Sequence, residues 1–326
     1  MTSPNNAELT VPPAFDLVCI GGAVINRKYQ VKDRLIPGTS NPAIMRQSFG
    51  GVARNMAETL ARLQASVAMV SLVGEDAAGD AILGHLEALG VDTSQVARSK
   101  AFPTADYAAI LDYDGELHVG LAAMQVFDAL TPDALQPAWP VIAASGWIFA
   151  DCNLPEATLR ALMARKASAK LAVNTVSVPK AVRLPDELSA IDVLFTNADE
   201  AGALLGTPAL APENLAAGLR ARAAKGVVLT LGADGHLVAD DTGIAWVSSL
   251  EAATLDVTGA GDALMSGTLY GLMAGQSLVD ASRLGALLAH ATVQSTEDVL
   301  PDLSPGWFQS QTDRLARITS RKLPAS

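Results

Sequence analysis

Cysteine and aromatic residues are scarce in this chain of 326 residues, which contains two cysteines and 5% Phe, Trp and Tyr. Cys19 and Cys152 lie in apolar segments and are far apart in the sequence. Two isolated thiols argue against a disulfide framework and against a cysteine-based metal site. We therefore expect both cysteines to be buried structural residues.

Basic residues are also in short supply, since 23 Lys and Arg stand against 34 Asp and Glu and the formal net charge is −11. This balance argues against nucleic acid or an anionic membrane as a partner. A nucleotide substrate remains compatible with it, because a local anion site and Mg²⁺ can override the overall sign. No run approaches the ~18 apolar residues of a membrane span. Residues 1–13 are polar and lack the pattern of a signal peptide, so we expect a disordered start and a cytoplasmic protein.

Half of the residues are apolar, which suits one large α/β domain with a sizeable core. Buried-strand patterns alternate with helical periodicity along the chain. The predicted strands are 15–20, 67–73, 146–150, 171–174, 193–196 and 227–231, with a pair at 235–239 and 244–247. The predicted helices begin at 50–51 and after Asp262 and cover 80–89, 156–167, 198–205, 212–224 and 278–292. This order predicts an α/β fold with a doubly wound, mostly parallel sheet, helices on both faces and ligands at the carboxyl ends of the strands.

Two segments, 24–48 and 104–125, interrupt this alternation with irregular, strand-like patterns. The second contains two short strands, 107–111 and 116–121, around Asp114 and Gly115, a pair typical of a type I′ hairpin. An ordinary edge hairpin is one interpretation. The other is that both segments form a small separate sheet that covers a site as a lid.

Residues 256–262 read DVTGAGD and precede an apolar helical run. Glycines allow a close backbone approach to an anion, and a helix N-terminus presents free N–H groups to it. Asp262 could then remove a proton from a hydroxyl while the amides hold the phosphoryl group that this hydroxyl attacks. A glycine-rich turn capped by Asp256 and Thr258 is the simpler interpretation. The coincidence of two aspartates, a threonine and a helix start favours a small-molecule kinase.

Residues 50–55 read GGVARN and form the second informative segment. Two glycines at a helix start allow close approach of a ligand, and Asn55 can both donate to and accept from sugar hydroxyls. Alone, this segment could be a tightly packed helix start.

Together, and in this order, the two segments resemble the signatures of the ribokinase-like (PfkB) carbohydrate kinases, and the resemblance extends over residues 15–316. It implies a ribokinase-like fold with a small β-sheet lid, one kinase domain over 14–320, and ATP and Mg²⁺ as cofactors. Asp262 would be the general base, beside an anion hole of the Gly259, Ala260 and Gly261 amides. ATP would contact Asn197, Thr230, Gly232, Gly235, Thr258, Gly259 and Gly261. The acceptor would contact Asn26, Asn41, Gly50, Gly51, Arg54, Asn55, Tyr107 and Asn174.

The same resemblance implies two cation sites. Asn197 and Glu200 match an Asn-x-x-Glu motif that organises Mg²⁺ through water, although they also suit a helix N-cap and its N3 glutamate. Asp256, with Thr258, would hold a monovalent cation such as K⁺.

Residues 40–64, with SNP upstream of GGVARN, are similar to the pseudouridine kinase group, which phosphorylates the ribose 5′-hydroxyl. Three acceptor-side positions depart from that pattern: Asn26 replaces an acidic residue, Asn174 replaces the Asp of an Asp-Pro pair, and Ala123 replaces an acidic residue before Met124. Thr196 also stands where the resembling chains have Pro. We therefore expect an active phosphotransferase whose altered acceptor side leaves its substrate open.

Three alternatives remain open at this stage. The chain could be another kinase of the family, acting on ribose, inosine, adenosine or a hexose. It could be a non-catalytic nucleoside sensor, although a sensor does not need Asp262. A dinucleotide-dependent oxidoreductase is disfavoured because no G-x-G-x-x-G follows the first strand. Apolar lid positions such as Ile110, Leu117 and Leu121 suggest a homodimer formed through the lid.

Overall fold

The computed structural model describes residues 14–207 and 210–324. The predicted disordered start at 1–13 lies outside these residues. Across the two described ranges, no helix is both long and apolar enough to cross a membrane.

The chain alternates strands and helices over most of its length, as predicted. The strands are β1 (Leu17–Ile20), β2 (Val24–Val31), β3 (Ala43–Gly50), β4 (Val67–Gly74), β5 (Asp92–Ser99), β6 (Ala105–Leu111), β7 (Leu117–Ala123), β8 (Trp147–Asp151), β9 (Lys170–Asn174), β10 (Val193–Asn197), β11 (Val227–Thr230), β12 (His236–Asp240), β13 (Gly243–Val247) and β14 (Ser320–Lys322). The α-helices are α1 (Val52–Arg62), α2 (Ala77–Ala88), α3 (Trp139–Ala143), α4 (Glu156–Arg165), α5 (Val178–Ala181), α6 (Ala198–Leu205), α7 (Pro212–Ala221), α8 (Ala260–Met273), α9 (Leu278–Thr292), α10 (Trp307–Ser310) and α11 (Thr312–Arg317).

Ten strands form the main sheet, in the order β14-β13-β12-β11-β10-β9-β8-β1-β4-β5. The seven strands from β11 to β5 are mutually parallel, and β12 to β14 add an antiparallel edge. The predicted doubly wound, mostly parallel sheet is therefore confirmed. The strand order reverses between β1 and β8, and crevices at such switch points are where open α/β sheets bind ligands.

The central strands of the main sheet are buried on both faces, and successive residues of a strand point to opposite sides. In β1, Val18 and Ile20 join one apolar cluster, whereas Leu17 and Cys19 join the other. Cys19 and Cys152 are both free and buried, as expected. The two clusters show why each central strand reads as a continuous apolar run.

A second sheet of four strands, in the order β3-β2-β6-β7, stands apart from the main sheet. Its strands come from the two segments predicted to form a lid, so the prediction of a small separate sheet is confirmed. We call this sheet the lid. Strands β2 and β6 are parallel, whereas β3 and β7 pair antiparallel to them.

The predicted type I′ turn at the tip of the lid is wrong. Of the two central residues, Gly115 alone has a positive φ, 89°, whereas a type I′ turn requires two. The Gly115 N–H donates to the Asp112 carbonyl over 2.9 Å, and the Asp112 N–H donates to the Glu116 carbonyl over 2.8 Å. The hairpin therefore closes with a three-residue loop that ends in a left-handed glycine.

Candidate active site

The glycine-rich segment forms the N-terminus of α8, as predicted. Gly259 is the N-cap residue with φ 79°, and a Cβ there would overlap the Asp298 carbonyl, so both the conformation and the packing require glycine. The Ala260 N–H donates to the Val257 carbonyl over 3.3 Å. No hydrogen-bond acceptor in the described part of the chain engages the Gly259 or Gly261 amide. These two donors are free to hold an anion.

Asp262 lies in the first turn of α8 and is held by a residue from the other glycine-rich segment. The Asn55 Nδ2 donates to the Asp262 Oδ2 over 2.6 Å. Desolvation by the surrounding protein raises the pKa of Asp262 to about 7, against the lowering effect of the Asn55 bond, and the nearby Asp298 and Asp151 charges add to the rise. A carboxyl with a near-neutral pKa can act as a general base.

Arg54 orients Asn55. The Arg54 Nε donates to the Asn55 Oδ1 over 3.0 Å, which leaves the Asn55 Nδ2 to face Asp262. Arg54 also donates to the Phe49 carbonyl over 2.7 Å and forms an ion pair with Glu58. The residue is 2% exposed. We predicted a substrate contact for Arg54, and its surroundings favour a positioning role.

The glycine pair before α1 is required by two close approaches. A Cβ at Gly50 would overlap the Asn26 amide, and a Cβ at Gly51, whose φ is 97°, would overlap the Gly22 carbonyl. The segment is therefore a tightly packed helix start, which was the simpler interpretation of its sequence. The same packing brings Asn26 of the lid to the start of α1.

Tyr107 and Asn41, the other lid residues predicted to contact the acceptor, lie in different places. Tyr107 of β6 is the register partner of Asn26 in β2, and its hydroxyl lies against Gly120. The Asn41 amide closes the loop between β2 and β3 by bonds to the backbone of Ile36 and Thr39. No bond within the described residues joins Asn41 to the rest of the predicted site.

Asp256 and Thr258 form a tight turn before α8. The Asp256 Oδ1 accepts from the Thr258 N–H over 2.9 Å and from its hydroxyl over 2.6 Å. The Asp256 Oδ2 forms an ion pair with Lys28, a lid residue that the sequence did not single out. Burial would raise the pKa of Asp256, but the Lys28 and Thr258 hydrogen bonds outweigh it and hold the pKa below its ordinary value. The ammonium group thus occupies one oxygen of the predicted cation ligand.

Asn197 and Glu200 form a capping box at the start of α6. The Asn197 Oδ1 accepts from the Glu200 N–H, and its Nδ2 donates to the Glu200 Oε1, both over 2.9 Å. The other Glu200 carboxylate oxygen accepts from the Thr175 hydroxyl. The predicted N-cap is confirmed, and the role in Mg²⁺ binding stays a prediction. Residues 14–207 and 210–324 contain no cluster of three or more His, Cys, Asp or Glu suited to a metal ion.

The remaining predicted residues gather at the carboxyl ends of adjacent strands. Asn174 ends β9, where its Oδ1 accepts from the Val176 N–H over 3.0 Å. Thr230 ends β11, with its hydroxyl 3.4 Å from the Thr196 carbonyl. Gly232 and Gly235, with φ of 62° and 89°, shape the turn that follows β11. The topology therefore brings these residues to the same edge of the sheet as Asn197.

Asp151 is a buried residue of this region that the sequence did not identify as a site residue. Its carboxylate accepts from the Gly22 N–H over 2.8 Å, the Asn153 N–H over 2.9 Å and the Ala53 N–H over 3.2 Å. It therefore ties the end of β1, the end of β8 and the start of α1 together. Glycines and an aspartate at the ends of neighbouring strands were the available signal.

Known proteins resemble this chain in sequence and in fold. Residues 14–303 match the family described as pfkB family carbohydrate kinase. The pseudouridine kinase of Escherichia coli K12 is 30% identical over 292 residues, covering 88% of this chain and 93% of that protein. The structure of a carbohydrate kinase from Agrobacterium tumefaciens superposes with a TM-score of 0.81 at 34% identity, covering 94% of this chain and 99% of that one. The Arabidopsis thaliana ribokinase structure, at 21% identity, 95% and 100% coverage and a TM-score of 0.80, shows the same fold.

Proposed function

The chain belongs to the pfkB family of carbohydrate kinases, and from this premise we propose that Asp262 is the general base that activates a sugar or nucleoside hydroxyl. The observation that carries the proposal is the Asp262 carboxylate, bonded to Asn55 at the start of α8 beside the free Gly259 and Gly261 amides. Its pKa of about 7 makes the ionised form available at neutral pH.

In the proposed reaction, Asp262 removes the proton of the acceptor hydroxyl as the hydroxyl oxygen attacks the γ-phosphorus of ATP. The bond from this phosphorus to the bridging oxygen breaks, and ADP leaves. The amides at the start of α8 stabilise the charge on the transferring phosphoryl group. Asn197 and Glu200 would hold Mg²⁺ through water, and the ion would neutralise charge on the phosphates. Thr230, Gly232, Gly235 and Thr258 would contact the nucleotide.

For the acceptor, we propose pseudouridine, phosphorylated on its ribose 5′-hydroxyl. The similarity to the Escherichia coli pseudouridine kinase supports this choice. Ribose, inosine, adenosine and hexoses are the alternatives within the same mechanism, since Asn26, Asn174 and Ala123 alter the acceptor side. Asn26, Tyr107 and Asn55 are the side chains that we propose contact the acceptor.

The test is an ADP-release assay of the purified protein with MgATP and pseudouridine, uridine, inosine, adenosine, ribose or fructose. We expect turnover that is selective for pseudouridine. Turnover on another acceptor would move the specificity and keep the mechanism. ADP release that is absent with every acceptor, while pseudouridine still raises the melting temperature, would favour the nucleoside sensor.

We also propose that residues 14–320 act as one kinase domain whose lid pairs with a second copy. Met45, Tyr29, Ile110 and Val119 are register partners in one row across the four lid strands, so they share a face. This face is opposite to the one that carries Asn26 and Lys28. Met45 is 50% exposed and Val119 is 41% exposed, and apolar patches of this kind mark protein interfaces.

Light scattering after size exclusion tests the dimer. We expect Val119→Glu to convert a dimer to a monomer, because it places a charge in the apolar row. Arg46→Glu, which changes the charge on the opposite face of the lid beside Met45, is the matched control and should leave the dimer intact. A wild-type monomer would refute this part of the proposal.

A further inference from the structure

Asp298 contacts Asn26, one of the side chains that we propose bind the acceptor, and no sequence motif indicated it. The residue follows α9, and its backbone carbonyl packs against Gly259 at the anion-binding turn. Its Oδ2 accepts from the Asn26 Nδ2 over 2.9 Å. Asp298 therefore joins the lid to the start of α8.

The bond between Asn26 and Asp298 uses one atom of each side chain and leaves one acceptor oxygen on each. Because the Asn26 Nδ2 is committed to Asp298, the Oδ1 atoms of the two residues are free, and no donor among the described residues engages either one. Both Oδ1 atoms can be reached by solvent, because neither is among the fully buried side-chain atoms that lack a hydrogen-bond partner. A carboxylate and an amide oxygen held together suit two adjacent hydroxyl donors.

The position of the negative charge also fits an acceptor site. Asn26 stands where the resembling kinases have an acidic residue that holds ribose hydroxyls, so the carboxylate is missing from β2. The Asp298 carboxylate lies within hydrogen-bond distance of the Asn26 side chain. The group is only 6% exposed, so a hydrogen bond to it is screened little by solvent.

We propose that Asp298 and Asn26 together bind two adjacent hydroxyls of the acceptor sugar, and that Asp298 supplies the carboxylate that position 26 lacks. This inference rests on the proposed sugar or nucleoside kinase function. It assigns Asp298 as a determinant of specificity for sugars with a vicinal diol. An acceptor that lacks one of the two hydroxyls would leave one of the two Oδ1 atoms without a donor in the occupied site, which is costly.

The test is calorimetric titration, without ATP, of pseudouridine, ribose and 2-deoxyribose into four proteins: wild type, Asp298→Asn, Asn26→Asp and the double variant with both changes. We expect wild type to bind ribose at least about tenfold more tightly than 2-deoxyribose, since a hydrogen bond to a charged group contributes about 1.5–3 kcal/mol. Asp298→Asn should lose most of this preference. The double variant, which returns a carboxylate to the pair from position 26, should regain it.

ATP affinity separates this role from a structural one, because Asp298 also packs against the anion-binding turn. We expect ATP to bind Asp298→Asn as it binds wild type. Glu297→Gln, an exposed neighbour, is the matched control. It should change neither the preference for ribose over 2-deoxyribose nor the affinity for ATP. Equal loss of ribose, 2-deoxyribose and ATP binding, or no recovery in the double variant, would overturn the proposal.

Failure of the proposed function gives a different pattern. If wild type prefers ribose or pseudouridine to 2-deoxyribose but forms no ADP with any acceptor, phosphotransfer fails and the diol site stands. If wild type forms ADP and Asp298→Asn keeps the full preference for the diol, the kinase stands and the diol site is refuted. If wild type binds none of the three probes, the diol site is refuted as well.

Discussion

The Asn55 Nδ2 and the Asp262 Oδ2 are 2.6 Å apart, although the two residues are separated by 207 positions in the chain. This bond joins the starts of α1 and α8. It fixes the Asp262 carboxylate beside the free amides of the anion-binding turn. The group that would accept the proton and the groups that would bind the phosphoryl are therefore held together at the start of α8.

Asp262→Asn should lower kcat by at least ~100-fold, because general-base catalysis typically contributes that much or more. Its affinity for ATP should change little, since the amides of α8 remain in place. Steady-state kinetics and nucleotide titration measure the two quantities. Asp241→Asn, in an exposed turn, should behave like wild type. Near-normal turnover of Asp262→Asn would show that another group is the base.

The pH profile of kcat/KM should report the pKa of Asp262. Only the ionised carboxylate can accept a proton, so kcat/KM should rise with pH, with its midpoint near the pKa of about 7, and level off above it. Asp298→Asn removes a neighbouring charge that raises this pKa, so its midpoint should move to lower pH. A midpoint at the ordinary pKa of a free aspartate would contradict the raised pKa of Asp262.

The raised pKa of Asp262 makes activity increase with pH but makes the stability of the folded protein fall. Because the folded state raises the pKa of Asp262 from 3.8 to about 7, the native protein binds this proton more tightly than the unfolded chain does. The resulting stabilisation is fully present below the unfolded pKa and is lost as pH rises through the folded pKa. The melting temperature of Asp262→Asn should therefore exceed that of wild type at pH 8 by more than it does at pH 5. An equal difference at both pH values would contradict the shift.

Local signals account for the elements that the sequence predicted well. Helices α6 and α9 span the predicted residues. Asn197 and Ser277 are strong N-caps that set where they begin, and the left-handed Gly206 ends α6. Strand β5 was not predicted, since its sequence DTSQVARS lacks apolar alternation and lies half-exposed at the sheet edge. The lid hairpin shows the limit of a dipeptide signal, because Asp114 does not adopt the positive φ that a type I′ turn needs.

The residues of the candidate site also fall into two groups, those that the sequence predicted and those that it did not. The segments around Asn55 and Asp262 were predictable because glycines at helix starts carry a local physical meaning. Lys28 and Asp298 were not, because their partners lie 228 and 272 positions away in the chain. Long-range contacts of single charged side chains leave no periodic pattern, so the topology of the lid had to be known first.

Arg54→Met should destabilise the protein by about 2 kcal/mol, because it removes the buried partner of Glu58 and leaves this carboxylate to the more exposed Arg62 and His85. Denaturant unfolding measures this change. Arg160→Met is the matched control: it breaks an exposed pair with Glu156 of the same helical spacing and should cost at most about 0.5 kcal/mol. Adding Glu58→Leu to Arg54→Met should recover part of the loss. Similar small effects at both arginines would contradict a structural role for the buried pair.

We expect Lys28 to make the kcat/KM of the enzyme less dependent on K⁺. Its ammonium group pairs with the Asp256 Oδ2, the carboxylate that the family resemblance assigns to a monovalent cation, so the lysine and K⁺ compete for one ligand. We expect wild-type kcat/KM to change little between K⁺ and tetramethylammonium buffers of equal ionic strength. Lys28→Met should be activated strongly by K⁺, whereas Arg46→Met, which removes the cross-strand neighbour of Lys28, should match wild type. Strong K⁺ activation of wild type, with no further gain in Lys28→Met, would show that the two cations occupy separate places.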